Sequence, residues 1–160
     1  MDALKWIATI FNDNNIPYRI GGGFATHLYG ATRPVHDIDI SVSGTYFPTI
    51  IPLVTDYITA GPKHYENEKW NCNTLSLEYY GQEIDLTDVD TLLMSNKAQT
   101  KWIKNKDIYS KHPDVTMDID GTKVSLMHPR VIIEYKQEME GDHHTQDLKV
   151  LENYTQLHNL

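Results

Sequence analysis

Cysteine is almost missing from this chain: Cys72 is the only one among 160 residues. One thiol excludes an internal disulfide and any multi-cysteine zinc site. It points to a reducing, cytoplasmic setting. Basic residues are also scarce, with 14 Lys and Arg against 22 Asp and Glu and a formal charge of −8. That balance counts against a general nucleic-acid binder, which carries a basic face, and against docking on anionic lipid. It leaves open a polyanionic ligand held through a divalent metal. No run approaches the roughly 18 apolar residues needed to cross a bilayer, so no membrane partner is expected. Met1-Asp2-Ala3-Leu4-Lys5-Trp6 lacks the basic-then-apolar pattern of a secretory leader. No internal repeat or low-complexity tract is visible. The 40% hydrophobic and 22% charged residues fit a globular protein, and the length suits one domain.

Periodicity gives the coarse order of elements. Leu4, Ile7, Ala8 and Phe11 recur at helical spacing and predict a helix over 2–15, ended before Pro17. Tyr18 to Ile20 reads as a short strand running into Gly21-Gly22-Gly23, with a helix over 24–29 behind it. His36 to Val42 alternates as a strand. The apolar stretch 46–58 reads as a helix with a proline near its start. Thr74 to Tyr80 and Glu83 to Val89 alternate on either side of Gly81-Gln82 and predict a hairpin. Residues 91–112 read as mixed helix and loop. Val115 to Ile119 and Thr122 to Leu126 flank Asp120-Gly121, a second hairpin. Residues 129–154 predict two helices parted near Gly141, with Leu148, Leu151 and Tyr154 as the apolar face of the second. The sum is an α+β fold: a small mixed β-sheet flanked by helices, with a C-terminal helical tail. One domain spans 1–160, its core about 1–127 and its tail about 128–160.

The chemistry gathers in the first half. On a strand, Asp37 and Asp39 point to one face, roughly 6.5–7 Å apart, while Ile38 and Ile40 anchor the other. Such carboxylates repel, and a hard divalent cation beside them removes the conflict. Their oxygens suit Mg²⁺ or Mn²⁺. Asp-apolar-Asp alone is weak evidence, because Asp118-Ile119-Asp120 repeats it at a hairpin tip. The upstream company strengthens the first copy. Gly22 and Gly23 lie at a strand-to-helix junction, where glycine lets backbone approach a ligand and helix N–H groups favour phosphate; a plain tight turn reads equally well there. The pattern is neither G-x-G-x-x-G nor a P-loop. Downstream, Asp85 shares a strand face with Glu83 and Thr87. It would complete a two-metal site, with Asp88 and Asp90 as competitors. His143 and His144 read as surface residues. Alternation turns His36 away from Asp37, and the scattered Trp and Tyr residues read as core and rim.

Gly-Gly opening a helix, then Asp-apolar-Asp on a strand, then a later strand Asp resembles the nucleotidyltransferase superfamily of the DNA polymerase β type. Residues 18–42 carry the motif. Thr32-Arg33 ahead of Asp37-Ile38-Asp39 looks like the lincosamide and aminoglycoside branches and uncharacterised small relatives. Abortive-infection toxins share the same core. The resemblance implies that Asp37, Asp39 and Asp85 bind two Mg²⁺ (or Mn²⁺) ions, with Asp85 also the base for the acceptor hydroxyl. It places Gly22 and Gly23 against the phosphates of a nucleoside triphosphate. Arg33 would contact phosphate or pair with an acid. Lys136 matches a helical lysine of the relatives, and reads otherwise as an exposed helix lysine. In the Arg-x-Lys-Asp segment that follows in those relatives, this chain has His144-Thr145-Gln146-Asp147.

The implied activity is transfer of a nucleoside monophosphate, for instance from ATP, to an acceptor hydroxyl. The scarcity of basic residues favours a small-molecule acceptor over tRNA. At this length a second subunit could supply a wall of the acceptor site, so a homodimer is compatible with it. Three alternatives remain open: a catalytically silent fold that binds nucleotide or a partner protein, a toxin-type transferase acting on tRNA or protein, and a metal-dependent glycosyltransferase. The Gly-Gly helix opening and the short chain count against the last.

Overall fold

A computed structural model describes residues 1–160. The element order is α1 (Asp2–Asp13), β1 (Tyr18–Gly21), α2 (Gly22–Leu28), β2 (Asp37–Val42), α3 (Phe47–Val54), β3 (Ile58–Glu66), β4 (Trp70–Tyr79), β5 (Gln82–Asp88), β6 (Leu93–Ser95), β7 (Trp102–Lys104), α4 (Asn105–Tyr109), β8 (Val115–Ile119), β9 (Thr122–Leu126), α5 (Pro129–Lys136) and α6 (Asp142–His158). All nine strands join one mixed sheet in the order β7-β6-β4-β5-β2-β1-β9-β8, with β3 pairing β4 off that path. Two neighbours run parallel, β1 with β9 and β2 with β5; the other pairs are antiparallel. No helix is long and apolar enough to cross a membrane.

The predicted α+β class holds, but the sheet is larger than the expected small one. β3, β6 and β7 are additional to the alternation-based reading. β3 is exposed along most of its length and is interrupted by Gly61-Pro62, so it carries no period-two signal. β6 and β7 have 3 residues each, too few for periodicity to register. The 46–58 helix shrinks to α3, with short 3₁₀ turns on either side.

Packing fixes the register that matters. Ile38, Ile40 and Val42 on β2, Ile84 and Leu86 on β5, and Leu75 and Leu77 on β4 are all buried on one face. Each such side chain stabilises by about 1.5–3 kcal/mol on leaving water. A slip of one residue would turn this face outward, so burial of the isoleucines also holds the intervening acids in place. α2 packs on β1 and β2, and α5 packs on α4 and α6.

Candidate active site

The polar face of the sheet carries a row of aligned residues. Gly21 pairs with Asp39, Asp39 with Asp85, and Asp85 with Ser76. One carboxylate oxygen each from Asp37, Asp39 and Asp85 lies within 4.8 Å of the other two. Burial, followed by the charges of Asp37 and Asp85, pushes the Asp39 carboxyl up to about 8. Burial also raises Asp85, against a 2.9 Å hydrogen bond donated by the Ser76 hydroxyl. Two like charges about 4 Å apart repel by roughly 4 kcal/mol at an effective dielectric of about 20. Three hard oxygen donors that cannot comfortably be charged together fit a small divalent cation. The expected competitors lie elsewhere. Asp88 accepts from the Gly44 and Asp90 N–H groups, and Asp90 pairs with Lys106 at 2.7 Å.

The glycine end of the row is tightly built. Gly22 turns at φ +61°, and a Cβ there would come within 2.5 Å of Asp39 Oδ2. Its N–H donates to the Tyr135 hydroxyl at 2.7 Å. Gly22 therefore provides close approach, and its own N–H is already engaged. A Cβ on Gly23 would meet Arg33 Nη2 at 2.7 Å, so this glycine makes room for the guanidinium.

Behind the glycines lies a buried charge cluster. Arg33 donates through Nε and Nη2 to Asp147 Oδ1 and Oδ2, at 2.8 and 2.7 Å. Lys136 Nζ lies 3.0 Å from Asp147 Oδ2 and 3.2 Å from His144 Nδ1. Burial alone would raise Asp147, but Arg33 and Lys136 outweigh it and hold the carboxyl below its usual range. Burial lowers Lys136 against the pull of Asp147, and burial with the Lys136 charge takes His144 down to about 4. Two cations share one carboxylate, so the cluster carries a net positive charge beside the acids.

The row and the cluster line a cleft of about 700 Å³ that continues over residues of β4 and β3. Gly22, Gly23, Arg33 and Lys136 all line it together with Asp37, Asp39 and Asp85. Several residues fall otherwise than expected. Lys136 is 2% exposed, so it is no surface lysine. His144 is buried, whereas His143 is exposed as expected, and both line the cleft. His36 precedes β2 rather than lying in it, so alternation does not apply and it also lines the cleft. Tyr65, Trp70, Tyr109 and Tyr135 belong to the cleft as well. Asp147 and Tyr135 were not among the expected site residues. Asp147 could have been flagged as an acid on the inward stripe of α6, one position from an apolar face centred on Leu151.

A family model for aminoglycoside-2''-adenylyltransferase matches residues 3–150. No curated protein sequence matches the chain. Solved structures share the fold. A Thermotoga maritima protein described as a nucleotidyltransferase has a TM-score of 0.65 at 16% identity, over 99% of this chain and 89% of that one. The lincosamide antibiotic adenylyltransferase LnuA, solved with lincomycin, has 0.59 at 17%, over 94% of each. ANT(2'')-Ia, solved with adenylyl-2''-tobramycin, has 0.54 at 17%, over 93% of this chain and 84% of that one. Because the family match runs from the first helix into the last, the chain belongs to the aminoglycoside-2''-adenylyltransferase family and is a nucleotidyltransferase.

Proposed function

We propose that the protein transfers a nucleoside monophosphate from a nucleoside triphosphate such as ATP to a hydroxyl of a small molecule. The observation that carries this reading is the register row Gly21–Asp39–Asp85–Ser76, with Asp37 beside it. Asp37, Asp39 and Asp85 would hold Mg²⁺ or Mn²⁺, two ions with the triphosphate bound. Such ions supply Lewis-acid stabilisation of phosphoryl oxygens and a lower hydroxyl pKa. Gly22 and Gly23 would sit against the phosphates, their missing side chains leaving room for Asp39 and Arg33, and Arg33 and Lys136 would face the phosphates with net positive charge. The acceptor oxygen forms a bond to the α-phosphorus while the bond to the bridging oxygen breaks, and pyrophosphate leaves with that electron pair. Asp85 takes the hydroxyl proton. The chain positions groups and offsets charge, as phosphoryl transfer requires. The small-molecule acceptor is supported by LnuA bound to lincomycin and ANT(2'')-Ia bound to an adenylylated tobramycin.

Replacing Asp39 by Ala tests the reading. The change removes one of three crowded acids, so the chain should keep its fold and melting temperature. Nucleotide-dependent pyrophosphate release should fall by on the order of a thousandfold or more, the loss of several kcal/mol of charge stabilisation. Retention of transfer by a folded Asp39→Ala protein rules the assignment out.

A further inference from the structure

The half of the cleft that must receive the acceptor differs in chemistry from what the family name suggests. Under the proposed function, on which this inference rests, the nucleotide occupies the glycine end of the row. The acceptor hydroxyl must reach Asp85. The rest of the acceptor then extends away from the glycines, over β4 and β3. There Thr87, Thr74 and Lys63 form the adjacent row, and Tyr65 follows Lys63 on the same face of β3.

A polycationic acceptor needs carboxylates that are not already engaged, because a buried charge without a partner is costly. Asp37, Asp39 and Asp85 are the only carboxylates lining the cleft, and all three are the proposed metal ligands. Glu66 belongs to the opposite face of β3, 3.5 Å from His64. Glu78 and Glu83 pair with each other one row beyond Asp85 and lie outside the lining. Cations are distributed the other way. Arg33 and Lys136 share Asp147, whereas Lys63 lines the cleft with no acid at ion-pair distance. The Lys63 charge is felt at Asp85, where it opposes the rise caused by burial. Tyr65 and Trp70 add ring surface beside it.

We propose that the acceptor is a small hydroxylated molecule bearing an anionic group, which Lys63 binds while Tyr65 and Trp70 cover its apolar part, and that it is not an aminoglycoside-like polycation. Lys63 is thereby a specificity-determining residue. The anionic group takes no part in the transfer: the acceptor oxygen bonds the α-phosphorus, pyrophosphate leaves, and the proton passes to Asp85.

The test measures binding of matched probes by calorimetry, in Mg²⁺ with the α,β-methylene analogue of whichever nucleotide binds. Two probes are anionic, 3-(4-hydroxyphenyl)propionate and 4-hydroxybenzylphosphonate. Tyramine carries the same phenol on a cation, and tobramycin is the polycation. At least one anionic probe should bind on the order of tenfold more tightly than tyramine, the value of a charge-assisted contact. Lys63→Ala should abolish that preference and Lys63→Glu should reverse it. Both variants should still bind the nucleotide analogue with Mg²⁺, which reports that each is folded. The inference falls if tyramine or tobramycin binds as tightly as the anions, which ring–cation attraction to Tyr65 and Trp70 could produce. It falls equally if the four probes show no preference, or if the preference survives Lys63→Glu. In those cases intact nucleotide binding leaves the transferase reading standing. Failure to bind any nucleotide with Mg²⁺ removes both.

Discussion

At the scale of single residues, Gly22 shows how little freedom the site has. Its φ of +61° already disfavours any side chain, and a Cβ would stand 2.5 Å from Asp39 Oδ2. Gly22→Ala should therefore cost about 1–2 kcal/mol in backbone strain and also displace the carboxylate. A misplacement near 1 Å costs on the order of a hundredfold in rate, so kcat/KM for pyrophosphate release should fall by at least that factor. Gly81→Ala is the control, with φ +85° and open space around its Cβ position. It should lower the melting temperature comparably and leave turnover intact. Equal activities in the two variants would show that the contact with Asp39 is irrelevant. The same residue scale decides what sequence could reveal. Asp37, Asp39 and Asp85 are legible because a strand sorts its side chains with period two, and the apolar partners between them show which face is buried. The pairing of Asp147 with Arg33 is not legible in that way, since the two meet across 114 residues of chain. No local pattern encodes that meeting.

At the scale of elements, hairpins and amphipathic helices were legible, and the exposed β3 and the three-residue β6 and β7 were not. The Asp120-Gly121 turn places β8 and β9 where alternation predicts them, while β3 borrows its order from β4. α6 lies between these cases. Its existence follows from the pattern after Gly141, but its buried stripe is His144, Asp147, Leu151 and Thr155. The expected apolar face, Leu148-Leu151-Tyr154, retains only Leu151 as fully buried. The polar half of the stripe gives the α5–α6 junction a pH response. His144 is held near 4 in the folded chain against about 6.5 when unfolded, by burial and by Lys136, with His143 and Arg33 adding to the effect and Asp147 opposing it. Above 6.5 the ring is neutral in both states and costs nothing. As pH falls from 6.5 to 4 the unfolded chain takes up a proton that the folded chain refuses, so stability declines. Asp147 works in the next window down: its depressed pKa stabilises above the unfolded value and that contribution is lost as pH drops through the folded one. The His144 contribution to stability should therefore begin to fall near pH 6.5, against the opposite contribution of Asp39, whose carboxyl, raised to about 8, favours the folded chain as pH drops. His144→Gln should remove the first contribution and leave the later loss in place, so its melting temperature should change less unfavourably between 6.5 and 4 than that of the wild type. An unchanged slope in that variant would assign the acid sensitivity to other groups.

At the scale of the whole molecule, the charge of −8 and the predicted affinity for a polyanion have to be reconciled. The conflict is local. Three of the acids are crowded within 4.8 Å, while Arg33 and Lys136 share Asp147 and Lys63 lines the same cleft from β3. Without a divalent cation, nothing bridges the acidic row of Asp37, Asp39 and Asp85 to an approaching triphosphate. With cations on those acids the same site becomes attractive. Binding of nucleotide and metal should thus be strongly coupled. The buried apolar residues form one continuous cluster that includes residues of both α1 and α6, so ligand binding should be read out as a single melting transition. At a nucleotide concentration about 100 times the Kd, native-state binding adds about 2.7 kcal/mol. For a chain of this size that corresponds to a rise of roughly 5–10 °C in melting temperature. The rise should occur with a nucleoside triphosphate and Mg²⁺ together. It should vanish in EDTA, and neither Mg²⁺ nor nucleotide alone should reproduce more than a small part of it. Asp39→Ala should lose the joint effect while melting normally by itself. A full shift by nucleotide in EDTA would mean that Arg33 and Lys136 hold the phosphates unaided, and that the acidic row is not a metal site.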